Sequence, residues 1–196
     1  TQLKEEGIDM LHYLTYEEIG MQLDDMVDGT HPNDLGMMRY AESYTLKLRS
    51  ILNEPVGTSS TTQPKIQYLE PGNYDWENWH REILKMNQTG PPRTVFIANS
   101  IVHFWGGEPR ASIAREEETW EQYLTPMGVR NYAYGWDRIE NVLWRVYHGE
   151  LDGFEAERII VMIGTNNLHL NTNQEIIEGL DLLVNAITTR QPKAEI

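Results

Sequence analysis

The sequence predicts an α/β protein in which a parallel sheet lies between layers of helices, a three-layer α/β/α arrangement. Three observations carry that expectation. Short apolar runs recur at 93–98 (RTVFIA), 129–135 (VRNYAYG) and 158–164 (RIIVMIG). They are apolar on both faces, as suits buried parallel strands. Helical patterns separate them, and a strand–helix–strand–helix order calls for parallel pairing.

In chain order, residues 9–14 (DMLHYL) read as a short strand, followed by polar sequence and the turn-rich DGTHPND. From Gly36 a helix is expected, with Met38, Ala41, Tyr44, Leu48 and Ile51 on one face, and Pro55 stops it. Residues 55–73, which include VGTSSTTQP, have no periodicity and read as a linker. Asp75 can cap a helix that carries Trp76, Trp79, His80, Ile83 and Leu84 on one face and ends near Gly90-Pro91-Pro92. After the strand at 93–98, Ile139, Val142, Leu143 and Val146 define a helix between the second and third strands. Thr172 opens another, marked by Ile176, Leu180, Leu183, Val184 and Ile187. At QPKAEI a further strand would be starting.

Bulk properties narrow the function classes. Sixteen basic against thirty acidic residues give a net charge of −14, a field that repels a phosphate backbone, so no nucleic-acid partner is expected. No apolar run approaches the roughly 20 residues of a membrane helix, so no membrane span is expected. Absence of cysteine excludes disulfides, a thiol nucleophile and thiolate-bound metal. Neither a GxxxxGK[ST] nor a G-x-G-x-x-G loop is present, and there is no HExxH; no cofactor and no metal are expected. Asp24, Asp25 and Asp28 lack the pattern of a calcium loop and read as a solvated face. The chain begins at Thr1 without Met or signal peptide, which reads as processing, trimming or a fragment.

In an open parallel sheet, ligands bind beyond the carboxyl ends of the strands. Three polar stretches fall there: Asn99-Ser100, Gly135-Trp136-Asp137 and Gly164-Thr165-Asn166-Asn167. Each alone has an ordinary reading as a turn or helix cap. Together they offer a hydroxyl nucleophile, Ser100, and oxyanion donors in the Ser100 and Gly135 amides and the Asn166 side chain. Among six histidines, His31 stands out because Asp28-Gly-Thr-His31-Pro puts a carboxylate three residues before an imidazole. That spacing, in a turn stiffened by Pro32, lets Asp28 reach one ring nitrogen and leave the other free. A plain Asx turn accounts for the same residues.

Four blocks resemble the SGNH (GDSL-like) serine esterase family, whose fold is a flavodoxin-like α/β/α sandwich. VFIANSIVHFWGG resembles the nucleophile block and implies Ser100 in that role. YAYGWDRIENVLWRVYHGEL implies Gly135 as an oxyanion amide donor, and IIVMIGTNNLH implies Asn166 as the side-chain donor. VDGTHPNDLG implies Asp28 and His31 as carboxylate and base. The run from Gly135 to Ile196 is similar to the catalytic subunits of platelet-activating-factor acetylhydrolase and to bacterial carbohydrate O-acetylesterases. The resemblance implies removal of a short acyl group, acetyl from a carbohydrate, with a small ester or acetylated carbohydrate as partner. A carbohydrate-active protein of this kind would be secreted or periplasmic. A non-catalytic carbohydrate-binding or interaction module is the alternative.

This chain departs from the family pattern in two ways. Ala98-Asn99-Ser100 stands where Gly-Asp-Ser is usual, and Asn keeps an acceptor but not a charge. The Asp/His block also precedes the nucleophile block rather than following it, so the fold is expected to be permuted or truncated. In the tandem reading, 1–54 ends one SGNH domain, 55–73 links, and 74–196 begins the next; Asp28/His31 and Ser100 then belong to different sites. A homodimer that completes the sheet is a further expectation.

Overall fold

In the computed structural model, which describes residues 7, 8 and 11–196, the chain divides after Pro55 into two compact units.

The first unit contains a short helix, α1 (Tyr16–Ile19), and a long one, α2 (Asp34–Leu52). Thr15 and Glu18 form a capping box around α1, and Asn33 caps α2 by accepting from Gly36 N at 3.1 Å. Between them a loop closes on an antiparallel bridge from Met26 to Pro32. Residues 11–14 are not in a strand, and Asp9 and Met10 lie outside the described residues. A strand needs a neighbour to take its backbone hydrogen bonds, and the described part of this unit supplies none. The periodicity of α2 is real, but burial does not follow it: Met38, Tyr44 and Leu48 stay more than half exposed.

The second unit holds the sheet. Its elements are α3 (Trp76–Thr89), β1 (Thr94–Ala98), α4 (Ser100–His103), α5 (Glu117–Tyr123), β2 (Val129–Ala133), α6 (Ile139–Tyr147), β3 (Arg158–Met162) and α7 (Asn173–Arg190). The three strands are parallel in the order β2-β1-β3, and Ala98 at the end of β1 pairs with Ala133 and Met162. On the free side of β3, Glu195 bridges Arg158 in parallel, with Ile159 N donating to Glu195 O at 2.8 Å. QPKAEI thus pairs as a strand start would.

Alternation along the strands sends successive side chains to opposite faces. Val95 and Ile97 of β1, with Tyr132 and Ile159, pack against Trp76 and Ile83 of α3, Leu143 of α6 and Leu183 of α7. Phe96 and Ala98, with Ala133, pack on the other face against Val102 of α4 and Trp120 of α5. These are the three expected layers. Each fully buried aliphatic side chain contributes about 1.5–3 kcal/mol through burial.

Residues 56–73, which make up all but the first residue of the expected 55–73 linker, contain one 3-10 turn, Ser60–Thr62, and are hydrogen-bonded into the second unit. Thr61 Oγ1 donates to Glu175 O, Lys65 N donates to Glu140 O at 3.2 Å, and Gln67 is buried. Ser and Thr suggest loose sequence by composition, but here their hydroxyls serve as donors to neighbouring backbone. Among the described residues no helix is long and apolar enough to cross a membrane.

Candidate active site

β1 delivers its polar sequel to the carboxyl edge of the sheet. Asn99 is buried and caps α4, its Oδ1 accepting from Ile101 N at 3.1 Å. Asn therefore keeps the acceptor that the short helix needs. Ser100 is the first residue of α4, half-buried, and lines an open groove of about 560 Å³ with Phe104, Trp105, Trp136, Glu70 and Arg115. Ser100 therefore presents its hydroxyl beyond the strand end, at the start of a short helix and in an aromatic groove.

The loop after β2 is buried at Gly135 and exposed at Trp136. Gly135 N donates to His103 Nδ1 at 2.7 Å, while its carbonyl accepts from Tyr74 Oη at 2.7 Å and Gln67 Nε2 at 2.9 Å. A Cβ at Gly135 would stand 2.1 Å from Glu70 Oε2, the end of a flexible side chain that would have to shift. The expected oxyanion amide is thus engaged by a histidine that spacing alone marked as ordinary. After β3, Asn166 Nδ2 donates to Asp137 O at 3.0 Å, which ties the third loop to the second. Its neighbour Asn167 is buried and structural: Oδ1 accepts from Ile139 N at 3.1 Å, and Nδ2 donates to Glu140 Oε2 at 2.9 Å.

A buried ionic cluster lies beneath these loops. Arg145 Nε donates to Asp137 Oδ2 at 2.9 Å, and Arg145 Nη1 donates to Glu150 Oε1. Its guanidinium carbon lies 3.8 Å from the centroid of the Tyr134 ring. Trp76 Nε1 and Gln67 Nε2 donate to Asp137 Oδ1 at 2.7 and 3.1 Å. Burial pushes Asp137 up to about 6, with Arg145 pulling the other way. Burial also acts to raise Glu150, but Arg145 and the His80 hydrogen bond hold it below the usual range. His103 is pushed down to about 4, first by burial and then by the charge of Arg145. It is neutral at pH 7, and accepting at Nδ1 puts its proton on Nε2, which is buried without a partner.

In the first unit Asp28 and His31 meet as their spacing predicts. His31 Nδ1 donates to Asp28 Oδ2 at 2.7 Å, and the backbone amides of His31 and Thr30 donate to Asp28 Oδ1 at 2.8 and 3.0 Å. These hydrogen bonds, the His31 amide first, hold the Asp28 carboxyl below its usual range. Nε2 of His31 is left outside the pair. Ser100, Gly135 and Asn166 all belong to the second unit. Among the described residues no cluster of His, Asp and Glu is arranged to hold a metal ion.

Sequence reasoning missed four contributors to the site. His103 could have been found, because position 103 lies one helical turn from Ser100. Trp136 carried no sequence signal for its positive φ of 63°. Nor did Gln67 and Glu70, inside the expected linker, stand out by composition.

Three parallel strands with helices packed on both faces define an α/β fold. A model of the GDSL-like lipase/acylhydrolase family matches residues 1–49. Platelet-activating factor acetylhydrolase IB subunit alpha2 of Homo sapiens is 31% identical over 125 residues, 64% of this chain and 50% of that one. Subunit alpha1 of Bos taurus is 28% identical over the same length, with the same shares of each chain. The chain spans about half the length of the curated relatives it matches. A solved structure from Streptococcus pneumonia aligns over 80% of this chain and 58% of that one, at 18% identity and a TM-score of 0.49. The chain is thus similar to GDSL-like lipase/acylhydrolases over residues 1–49 and to platelet-activating factor acetylhydrolase subunits over 125 residues.

Proposed function

We propose that the protein is a serine ester hydrolase that removes a short acyl group through an acyl-enzyme, with Ser100 as nucleophile. The observation that carries this reading is the position of Ser100: first in α4, at the end of the central strand, in an aromatic groove. Ser100 Oγ attacks the ester carbonyl as its proton passes to an imidazole of the kind that Asp28 holds at His31. The leaving alkoxide takes that proton back, and water then releases the acyl group. Asn166 is the side-chain donor to the oxyanion, since one of its amide protons remains after the bond to Asp137 O.

Acetyl is the acyl group supported by the similar relatives, which are named as acetylhydrolases. A carbohydrate leaving group is supported by the rings of Phe104, Trp105 and Trp136 along the groove, since sugars stack on aromatic faces. Ser100→Ala in the intact protein should lower p-nitrophenyl acetate hydrolysis by several orders of magnitude, and unchanged hydrolysis overturns the assignment.

One observation favours a second reading, a non-catalytic glycan-binding module. The Glu70 carboxylate lines the same groove as Ser100 and stands against Gly135, where negative charge would have to develop. Glycan binding without labelling of Ser100 by a fluorophosphonate would favour it.

A further inference from the structure

Glu70 sits in a turn that fixes its backbone. Its carbonyl accepts from Asn73 N at 3.0 Å and from Tyr74 N at 3.2 Å. One residue earlier, Leu69 N donates to Oε1 of the buried Gln67 at 2.7 Å. The turn is thereby tied to the same side chain that holds Gly135 O. From it the Glu70 side chain lines the groove of Ser100, with Oε2 buried against Gly135.

That oxygen accepts no hydrogen bond among the described residues. The nearby donors are engaged elsewhere: Tyr74 Oη and Gln67 Nε2 on Gly135 O, Gly135 N on His103 Nδ1, and Arg145 on Asp137 and Glu150. Arg115 and Glu116 line the same groove, and no ion pair joins Arg115 to Glu70. A buried carboxylate oxygen without a partner costs free energy, and a ligand in the groove can supply what the chain does not. The attack of Ser100 sharpens that demand, because it creates negative charge on the substrate oxygen. Like charges repel more strongly at a half-buried site than in water. A donor on the substrate that bonds to Glu70 relieves this repulsion as the charge develops. The rings of Phe104, Trp105 and Trp136 complete a lining that suits a hydroxylated or an ammonium-bearing alcohol.

We infer that Glu70 is a specificity-determining residue: it accepts a hydrogen bond from a donor, hydroxyl or ammonium, on the leaving alcohol of the ester, and its charge turns away anionic alcohols. The inference rests on Ser100 being the nucleophile. It gives the carboxylate a part in turnover, where the non-catalytic reading takes it as an obstacle. Because the donor compensates Glu70 while the new charge forms, its effect enters kcat as well as KM.

The test is hydrolysis of matched acetate esters by the intact protein, each rate divided by that ester's alkaline hydrolysis rate. 2-Hydroxyethyl acetate carries a neutral donor, 2-(dimethylamino)ethyl acetate a cationic one, 2-methoxyethyl acetate none, and O-acetylglycolate an anion. The wild type should favour a donor ester over the methoxyethyl ester by about 10–10²-fold in kcat/KM and should take O-acetylglycolate last. Preference for the hydroxyethyl ester identifies a polyol as the leaving group, and preference for the dimethylaminoethyl ester identifies a cationic alcohol. In Glu70→Gln the ammonium preference and the penalty on O-acetylglycolate should both disappear, and kcat for the methoxyethyl ester should rise, which a merely structural role would not produce. Glu70→Ala should lose the hydroxyl preference as well. A wild type indifferent to the four esters overturns the inference without any variant, and so does a Glu70→Gln protein that keeps the wild-type ranking; both outcomes leave Ser100 as nucleophile. Failure of a fluorophosphonate to label Ser100, with none of the esters cleaved, overturns the Ser100 reading, and this inference with it.

Discussion

Acid should weaken the second unit through His103, and replacing that histidine should remove its share of the effect. Burial and the charge of Arg145 bring the folded imidazole down to about 4 from 6.5. Between those values the unfolded chain binds the extra proton, so stability rises with pH across the window. The contribution is fully present above about 6.5 and gone below about 4. Worked from the two values, His103 makes the unit about 2.5 kcal/mol less stable at pH 4.5 than at pH 7.5. His103→Gln puts a side chain there that is neutral at both. The assay is urea unfolding followed by tryptophan fluorescence; all six tryptophans lie between 76 and 144, so the signal reports the second unit. Asp137 acts in the opposite sense. Its folded value is raised to about 6, so its contribution is lost as pH rises, but both proteins carry it and it cancels in the difference. Wild type and His103→Gln with the same pH dependence would refute the assignment of a neutral, buried His103.

Arg145→Met removes the cation between Asp137 and Glu150, both at most 2% exposed, and should cost about 3–5 kcal/mol in the same urea assay because two carboxylates are left buried. Asn99→Ala removes the cap that accepts from Ile101 N and should cost about 1 kcal/mol. With α4 loosened around Ser100, p-nitrophenyl acetate turnover should fall more than that stability loss explains, which kinetics in urea-free buffer would measure.

The architecture was largely legible because the strand runs and helical periodicity each reflect burial. Thr94–Ala98, Val129–Ala133 and Arg158–Met162 all form where apolar runs predict them, and Asp75 and Thr172 cap the helices they should. Burial itself was less legible. The stripe on α2 predicts a covered face, but a stripe records what a surface prefers and not whether a partner is present. The same holds for residues 9–14, since strand formation depends on a neighbour. Asp28 and His31 were readable because their contact is local in sequence. The engagement of Gly135 by His103 was not, since it joins residues 32 apart through a turn whose shape Asn131 sets.

Much of the site's precision comes from residues outside the stretches that resemble the family. Gln67 Nε2 alone faces Gly135 O, Asp137 Oδ1 and Tyr74 Oη, and Trp76 donates to the same carboxylate oxygen of Asp137. Asp137 in turn places its carbonyl for Asn166 and its other carboxylate oxygen for Arg145. The loops after β2 and β3 are therefore coupled to residues 67–76 through one side chain that is itself fully buried. Networks of this kind act as a unit, and breaking one member strands the others. A substitution at Gln67, in a segment that composition marks as filler, should then disturb Gly135 and Asn166 together, whereas Ser100, held separately by the Asn99 cap, should keep its place.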